Sequence, residues 1–537
     1  MNSVIHWILN SFKQKPLPQI QPQYTIVPND PRKIEKTNEL RGLSAMPTLA
    51  SYLYNGTEDV SKAAAGAIQQ ITNSCSVAEL IQLDRAMRYI SDWGSSHFTI
   101  TQLFSRFHGQ IGAIGIFASH QNGRIRETAT RALALVHDGQ ELPFLFIRLN
   151  DWVPQVRSPA KDAIIDRIRP DYIAHFVKCL PLIFRLPEQH REDHTQLFHN
   201  ILNLLHSRDG HSAITHALTS PDHHIRRLAF RLLLQNPSYE PTSMLLASLH
   251  SNDLTIRLLA GRELRHRLND PPLLQTLEQM LIDPFMPIRR EALYGFLERL
   301  PAASHGHFQA ALLDPHVSIR EFARFHLRNH EPFDFIEFYL DHLSTTENEI
   351  LTTAIAGVGE TGKPAHAATL IQFLNHRNAL VRRASIRAIA HLDPEHHAEQ
   401  LIAALQDSSV AVARIARDAI HTRPHLASPE NLWSIFTSTT HQHVRGFTLD
   451  LIALAPWWNS ISLFIRAVAT GDEFVRQRVA VHLSNWEISP VRYLARPTPN
   501  QLLELDQLIA SYPQSLNPSI MADLHQGIEW TKRQMLN

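Results

Sequence analysis

Asp283-Pro-Phe-Met-Pro-Ile288-Arg289-Arg-Glu-Ala292 returns 31 residues later as Asp314-Pro-His-Val-Ser-Ile319-Arg320-Glu-Phe-Ala323. A grammar that recurs at a fixed offset marks a chain built by stacking similar units, so no residue inside it is read as a site until its copies have been compared. The pair Ile/Val-Arg, with Ala three positions after the Arg, occurs at Ile125-Arg126, Val156-Arg157, Ile225-Arg226, Ile256-Arg257, Ile288-Arg289 and Ile319-Arg320. The bare pair continues at Val381-Arg382, Val444-Arg445 and Val475-Arg476. Successive offsets are 31, 69, 31, 32, 31, 62, 63 and 31 residues. Two long gaps hold copies without Arg: Ile350 with Leu351 and Ala354, and Val412 with Ala413 and Ala416. The 69-residue gap requires an enlarged or divergent unit near Glu188 to His206, and Val60 with Ala64 begins the series.

Ile or Val and the Ala four residues on share one helical face, and the small Ala lets a neighbouring helix approach. Six residues before the Arg stands a short polar side chain in several copies: Asp151, Ser220, Ser251, Asp283, Asp314, Thr439 and Thr470. Such a residue is expected to end the turn and cap the second helix of a pair by accepting its amide hydrogens.

Composition bounds the class. The chain has 537 residues, beyond what one hydrophobic core supports, and stacking accounts for the fixed period. Lys+Arg and Asp+Glu both number 51, so no bulk field favours nucleic acid or an anionic membrane, and any basic surface is local. Cys75 and Cys179 stand far apart, outside metal or redox spacing, which points to a reducing, cytoplasmic setting. No run reaches the length of a membrane span. Residues 1–15 place Val4, Ile5, Ile8, Leu9 and Phe12 at helical spacing, an amphipathic helix suited to capping the array or to peripheral membrane contact through residues 1–12. Residues 16–36 form a Pro-rich linker, residues 37–485 the repeats, and residues 486–537 a C-terminal helical cap with helices near Gln501 to Ile509 and Ile520 to Met535.

A helix-pair period of about 31 residues with this marker resembles the HEAT-repeat family, in particular the short HEAT-like repeats of the bilin-lyase-associated type, over roughly residues 40 to 485. The resemblance implies an all-α, right-handed α-solenoid of about 12 helix pairs with an N-terminal arm and the C-terminal cap. It also implies that the marker Arg bonds an Asp of a neighbouring repeat, a structural ladder involving Asp151, Arg157, Asp283, Arg289, Asp314 and Arg320. Such arrays serve as scaffolds, in transport, in nucleic-acid binding and, in a few cases, as enzymes.

Four features invite a chemical reading. Gly357-Val-Gly-Glu-Thr-Gly362-Lys363-Pro364 begins like a phosphate-binding loop, but Pro364 replaces the hydroxyl that would hold magnesium, and the segment joins two helices without a preceding strand. Among 33 histidines, His190 and His194 lie one helical turn apart and are the candidates for a metal, although the order is not His-Glu-x-x-His. HEAT-like deoxyhypusine hydroxylase uses recurring His-Glu pairs for two irons, and here only His330-Glu331 has that order. The arginines beside the ladder, Arg227, Arg231, Arg262, Arg265, Arg290, Arg324, Arg328, Arg383 and Arg387, are candidates for a positive stripe in a concave groove, able to follow a phosphate backbone unless cross-paired. HEAT-like DNA glycosylases add aromatic and acidic residues to such a groove, and Trp457-Trp458 is the aromatic doublet at hand.

With no complete catalytic motif and no cofactor implied, the leading expectation is a non-catalytic scaffold or adaptor that grips another protein. The alternatives are a nucleic-acid-binding or glycosylase-like protein using the Arg groove, and a membrane-peripheral assembly factor.

Overall fold

The computed structural model describes residues 42–89, 98–107, 109–236, 238–329, 332–470, 472–487 and 497–512, with scattered residues between 518 and 533. The arm at residues 1–36, the His330-Glu331 pair and much of the terminal cap lie outside the described residues; of the cap, the helix Pro499–Ser511 is described. The described chain is all-α, without a strand, and divides into two compact units, residues 1–268 and 269–537.

Through most of both units, a first helix is followed by a short turn and a second helix that packs against it. The second helices of the first unit are α1 (Glu58–Ser74), α2 (Gly123–Ala134), α3 (Pro154–Asp166), α4 (His223–Gln235) and α5 (Leu254–Arg267). In the second unit they are α6 (Met286–Arg299), α7 (Val317–Arg328), α8 (Asn348–Thr361), α9 (Ala379–Leu392), α10 (Val410–Thr422), α11 (Gln442–Ile452) and α12 (Glu473–Glu487). The marker falls in the first turn of α2 to α7, α9, α11 and α12. Its Ile or Val is buried in every copy but α4, where Ile225 is half-buried, and its Ala is buried, as in Ile288 with Ala292 and Ile319 with Ala323; α12 has buried Val479 at the Ala position. At α9 and α11 the Ala position holds Ser385 and Thr448, also buried; their hydroxyls donate to the carbonyls of Val381 and Val444 at 2.9 and 3.0 Å, so no donor is stranded.

The polar residue six before the marker position has a different task from the one its chemistry suggested. The N-cap lies four residues before that position, at Asn122, Val153, Asp222, Asp253, Phe285, His316, Glu347, Asn378, Ser409 and His441. The residue two earlier accepts the amide hydrogen of the N-cap residue itself, closing the turn ahead of the helix. Asp151, Asp283, Asp314 and Asp407 do this with a carboxylate. Ser220, Ser251, Thr345 and Thr439 use a hydroxyl, and His120 and His376 use Nδ1. Part of the histidine excess is thus turn chemistry. Other histidines are packing rings: His307 stacks on Phe296 at 3.8 Å and His326 on Phe308 at 3.9 Å.

The marker Arg fastens the same turn from the other side. Its Nη1 donates to the backbone carbonyl six residues back in Arg126, Arg157, Arg226, Arg257, Arg289, Arg320 and Arg382, at 2.6 to 3.2 Å. The rest of the guanidinium reaches forward into the next pair. Arg126 meets Asp151 at 2.9 and 3.0 Å, Arg289 meets Asp314 at 2.7 and 2.8 Å, and Arg382 meets Asp407 at 2.7 and 2.8 Å, each through two parallel bonds. This forked geometry suits Arg and excludes Lys.

Where the next turn has no Asp at the sixth position back, the Arg finds another carboxylate. Arg226 and Arg445 reach Asp253 and Asp472. Arg157 reaches Glu192 in the enlarged unit, where Asp193 accepts the Thr195 amide. Arg320 reaches Glu360 on α8, leaving Asp314 to Arg289. Conversely, the copies without Arg, Leu351 and Ala413, are followed by turns with His376 and Thr439, so neither of those turns places a carboxylate where no Arg would meet it.

Candidate interaction face

The frame removes several arginines from any role toward a ligand. Arg324, which the spacing placed in the stripe, is buried and donates to the Tyr339 hydroxyl at 3.1 Å and to Glu360 at 2.7 Å. Burial alone would lower its pKa, but Glu360 and Tyr339 raise it. Arg227 donates through Nε to both oxygens of Asp253 at 3.0 Å. Burial alone would raise the Asp253 carboxyl; Arg227 and the amides of Thr255 and Ile256 hold it below the usual range. Arg262 and Arg265 have interactions of their own, including Arg265 with His266 at 3.2 Å. Half-buried Arg231 lies 5.7 Å from the centre of the Phe184 ring, and burial depresses its pKa.

In the second unit the remaining members meet no carboxylate among the described residues. Arg290, Arg328 and Arg387 are exposed and Arg383 is half-buried. Arg290 lies 5.7 Å from the Tyr294 ring and 5.9 Å from Phe322, and those two rings are 4.7 Å apart. Arg328 lies 5.9 Å from Phe335.

Helical spacing places the residue after the marker Arg position and the residue five after it on one face. Along α6 to α10 the first of these is Arg290, Glu321, Thr352, Arg383 and Arg414; the second is Tyr294, Phe325, Ala356, Arg387 and Asp418. Exposed Arg414 likewise has no carboxylate partner among the described residues, whereas Asp418 is taken by Arg417 at 2.6 Å. Phe325 is 65% exposed, unusual for a phenylalanine on a packed helix. Tyr294, Phe325 and Ala356 carry no charge and Arg414 lies beyond the stretch of the stripe, so only the in-phase alignment of the copies marks these four positions.

The other candidate chemistry has structural explanations. Gly357 to Thr361 is the last part of α8 rather than a link between helices. A Cβ at Gly357 would lie 2.3 Å from the Tyr339 ring, and one at Gly359 2.7 Å from the Ala388 Cβ, so these glycines admit neighbouring helices. His194 is buried, and its Nε2 meets the Leu149 carbonyl at 3.2 Å. His190 is exposed, and among the described residues no three His, Cys, Asp or Glu are grouped to hold a metal ion. Trp458 is buried in the second unit's core with Trp457 packed beside it. Among the described residues no helix is long and apolar enough to cross a membrane.

Paired helices, a recurring turn and an Arg-to-carboxylate frame define a tandem helical-repeat protein. The family model for HEAT repeats matches residues 336–420, the segment with the turns at Thr345, His376 and Asp407, so this part of the chain carries HEAT repeats. No curated protein matches the sequence. Similar solved chains include Kap95p, from a study of its binding to RanGDP, at 12% identity over 91% of this chain and 70% of that one, with a TM-score of 0.36. Importin beta follows at 13% identity, covering 88% and 73%, with a TM-score of 0.31. Kap121p bound to Pho4p has 12% identity, covering 90% of this chain and 57% of its own, with a TM-score of 0.27. The chain thus spans little more than half of Kap121p.

Proposed function

We propose that the protein is a non-catalytic scaffold or adaptor that binds another protein on the solvent-facing side of its second helices. One observation carries this reading: charges that recur in phase are consumed inside the frame, while those at the outward positions of α6 to α10 vary from copy to copy and leave Arg290, Arg383, Arg387 and Arg414 without a carboxylate among the described residues. Interface anchors are enriched in Arg and aromatic side chains, and these positions supply both.

The test is affinity capture of the full chain from its native cells, followed by mass measurement of the purified complex. A stoichiometric protein partner is expected. A monomer that retains none would overturn the proposal.

A further inference from the structure

The outward face of the second unit has a pattern more specific than a general binding surface. Toward one end, Arg290 and Arg328 lie beside Tyr294, Phe322 and Phe335. Toward the other, Arg383, Arg387 and Arg414 stand on α9 and α10. Between them α8 has no Lys or Arg and places the small side chains of Thr352 and Ala356 at the outward positions, with exposed Glu349 in its first turn. These helices are consecutive neighbours: Arg320 and Arg324 of α7 bond Glu360 of α8, and Gly359 of α8 abuts Ala388 of α9.

We infer that this face takes an acidic peptide segment whose central apolar side chains pack on Phe325 and over Ala356 while carboxylates at its two ends meet the two arginine groups. The inference rests on the scaffold reading and names the chemistry of its partner. Charge complementarity selects the occupant: a guanidinium without a carboxylate is matched bidentately by Asp or Glu. A methyl group at Ala356 leaves room for a partner's side chain that a larger residue would fill, and the exposed Phe325 ring supplies the apolar surface beside it. A phosphate backbone fits less well. It needs positive charge at every step, whereas here exposed Glu321 occupies the outward position on α7 and α8 adds no cation.

The probe is a fluorescein-labelled peptide of about twelve residues with glutamates at both ends and Leu and Phe between, read by fluorescence anisotropy against the full chain. Its partners in the assay are the same peptide with Gln for Glu and a labelled single-stranded oligothymidylate of similar length. The Glu peptide is expected to bind tightest, and Phe325→Ser and the double variant Arg383→Glu with Arg387→Glu should each weaken it about tenfold. Arg124→Glu on α2, an exposed residue of the other unit, should leave binding unchanged. Matching urea midpoints show that the variants fold. Tighter binding of the oligonucleotide, binding that ignores both variants, or no binding of the Glu peptide would each overturn the inference. If a native partner still co-purifies with both variants, the scaffold reading stands and the acidic-peptide inference fails; if none co-purifies with the unaltered chain, both fail.

Discussion

Arg289 holds Asp314, 25 residues further on, through two parallel hydrogen bonds of 2.7 and 2.8 Å, and returns its remaining nitrogen to the Asp283 carbonyl at 2.8 Å. One side chain therefore closes its own turn and fastens the next. Asp314 in turn accepts the amide hydrogen of His316, so the tie passes along the chain.

Removing one partner should cost more than removing both. Asp314→Ala leaves a largely buried guanidinium unmatched, and a loss of about 3 kcal/mol is expected in urea denaturation. Arg289→Met with Asp314→Leu removes both charges and should recover most of that loss. Additive losses in the double-mutant cycle would refute a direct coupling.

The matching of Arg to carboxylate predicts that a missing rung can be built only as a pair. Ala413→Arg alone puts a cation on α10 opposite Thr439 and should destabilise by roughly 1 to 3 kcal/mol. Adding Thr439→Asp should restore the urea midpoint. Equal stability of the single and the paired variant would show that the frame does not depend on charge matching.

Gly357→Ala should destabilise the protein although Ala is the better helix former. An added Cβ meets the Tyr339 ring at 2.3 Å, and overpacking of this kind costs about 1 to 3 kcal/mol, more than the roughly 1 kcal/mol gained in helix propensity. Thermal melting reads the sign directly; a rise in Tm would mean that the ring moves aside without strain.

Acid should weaken the fold before its carboxylates titrate. Burial depresses the imidazoles of His194, His206 and His224 below the usual histidine range. A group with a depressed folded pKa that ionises by gaining a proton takes that proton more readily when unfolded. Its contribution is therefore complete above the ordinary histidine value of 6.5 and is lost as the pH falls through the folded values. The opposite sign belongs to exposed His396, which Asp393 raises. Burial alone would raise the carboxyls of Asp151, Asp253 and Asp407, but the bonds from Arg126, Arg227 and Arg382 outweigh it and lower them, so their contribution persists until the pH falls below the ordinary aspartate value of 3.8. A urea midpoint lower at pH 5.5 than at 7.5, with a smaller drop in His194→Gln, is expected. An unchanged midpoint across that interval would count against buried neutral histidines.

The period, the helix pairs and the inward Ile/Val and Ala positions were legible because a repeat prints the same local physics many times, and in-phase recurrence separates frame from variation. Recurrence also marked Arg289 and Arg320 as structural. It did not reveal that the polar residue at the sixth position back bonds the N-cap residue's amide, because an Asp, Ser or His at that spacing serves a cap and a turn equally well until the backbone path is known. Nor did it separate Arg324 from Arg328, since both lie in one arginine-rich helix and the difference is a carboxylate 36 residues away, Glu360, brought beside the first.

The sequence by itself determined that this chain stacks helix pairs and which residues recur to hold them, because helix formation, turn closure and apolar periodicity are set by neighbours a few positions apart. Tertiary structure alone decided which charges are spent and which face solvent. Pairing a guanidinium with a carboxylate depends on where the next helix lies, and no spacing rule within one repeat fixes that.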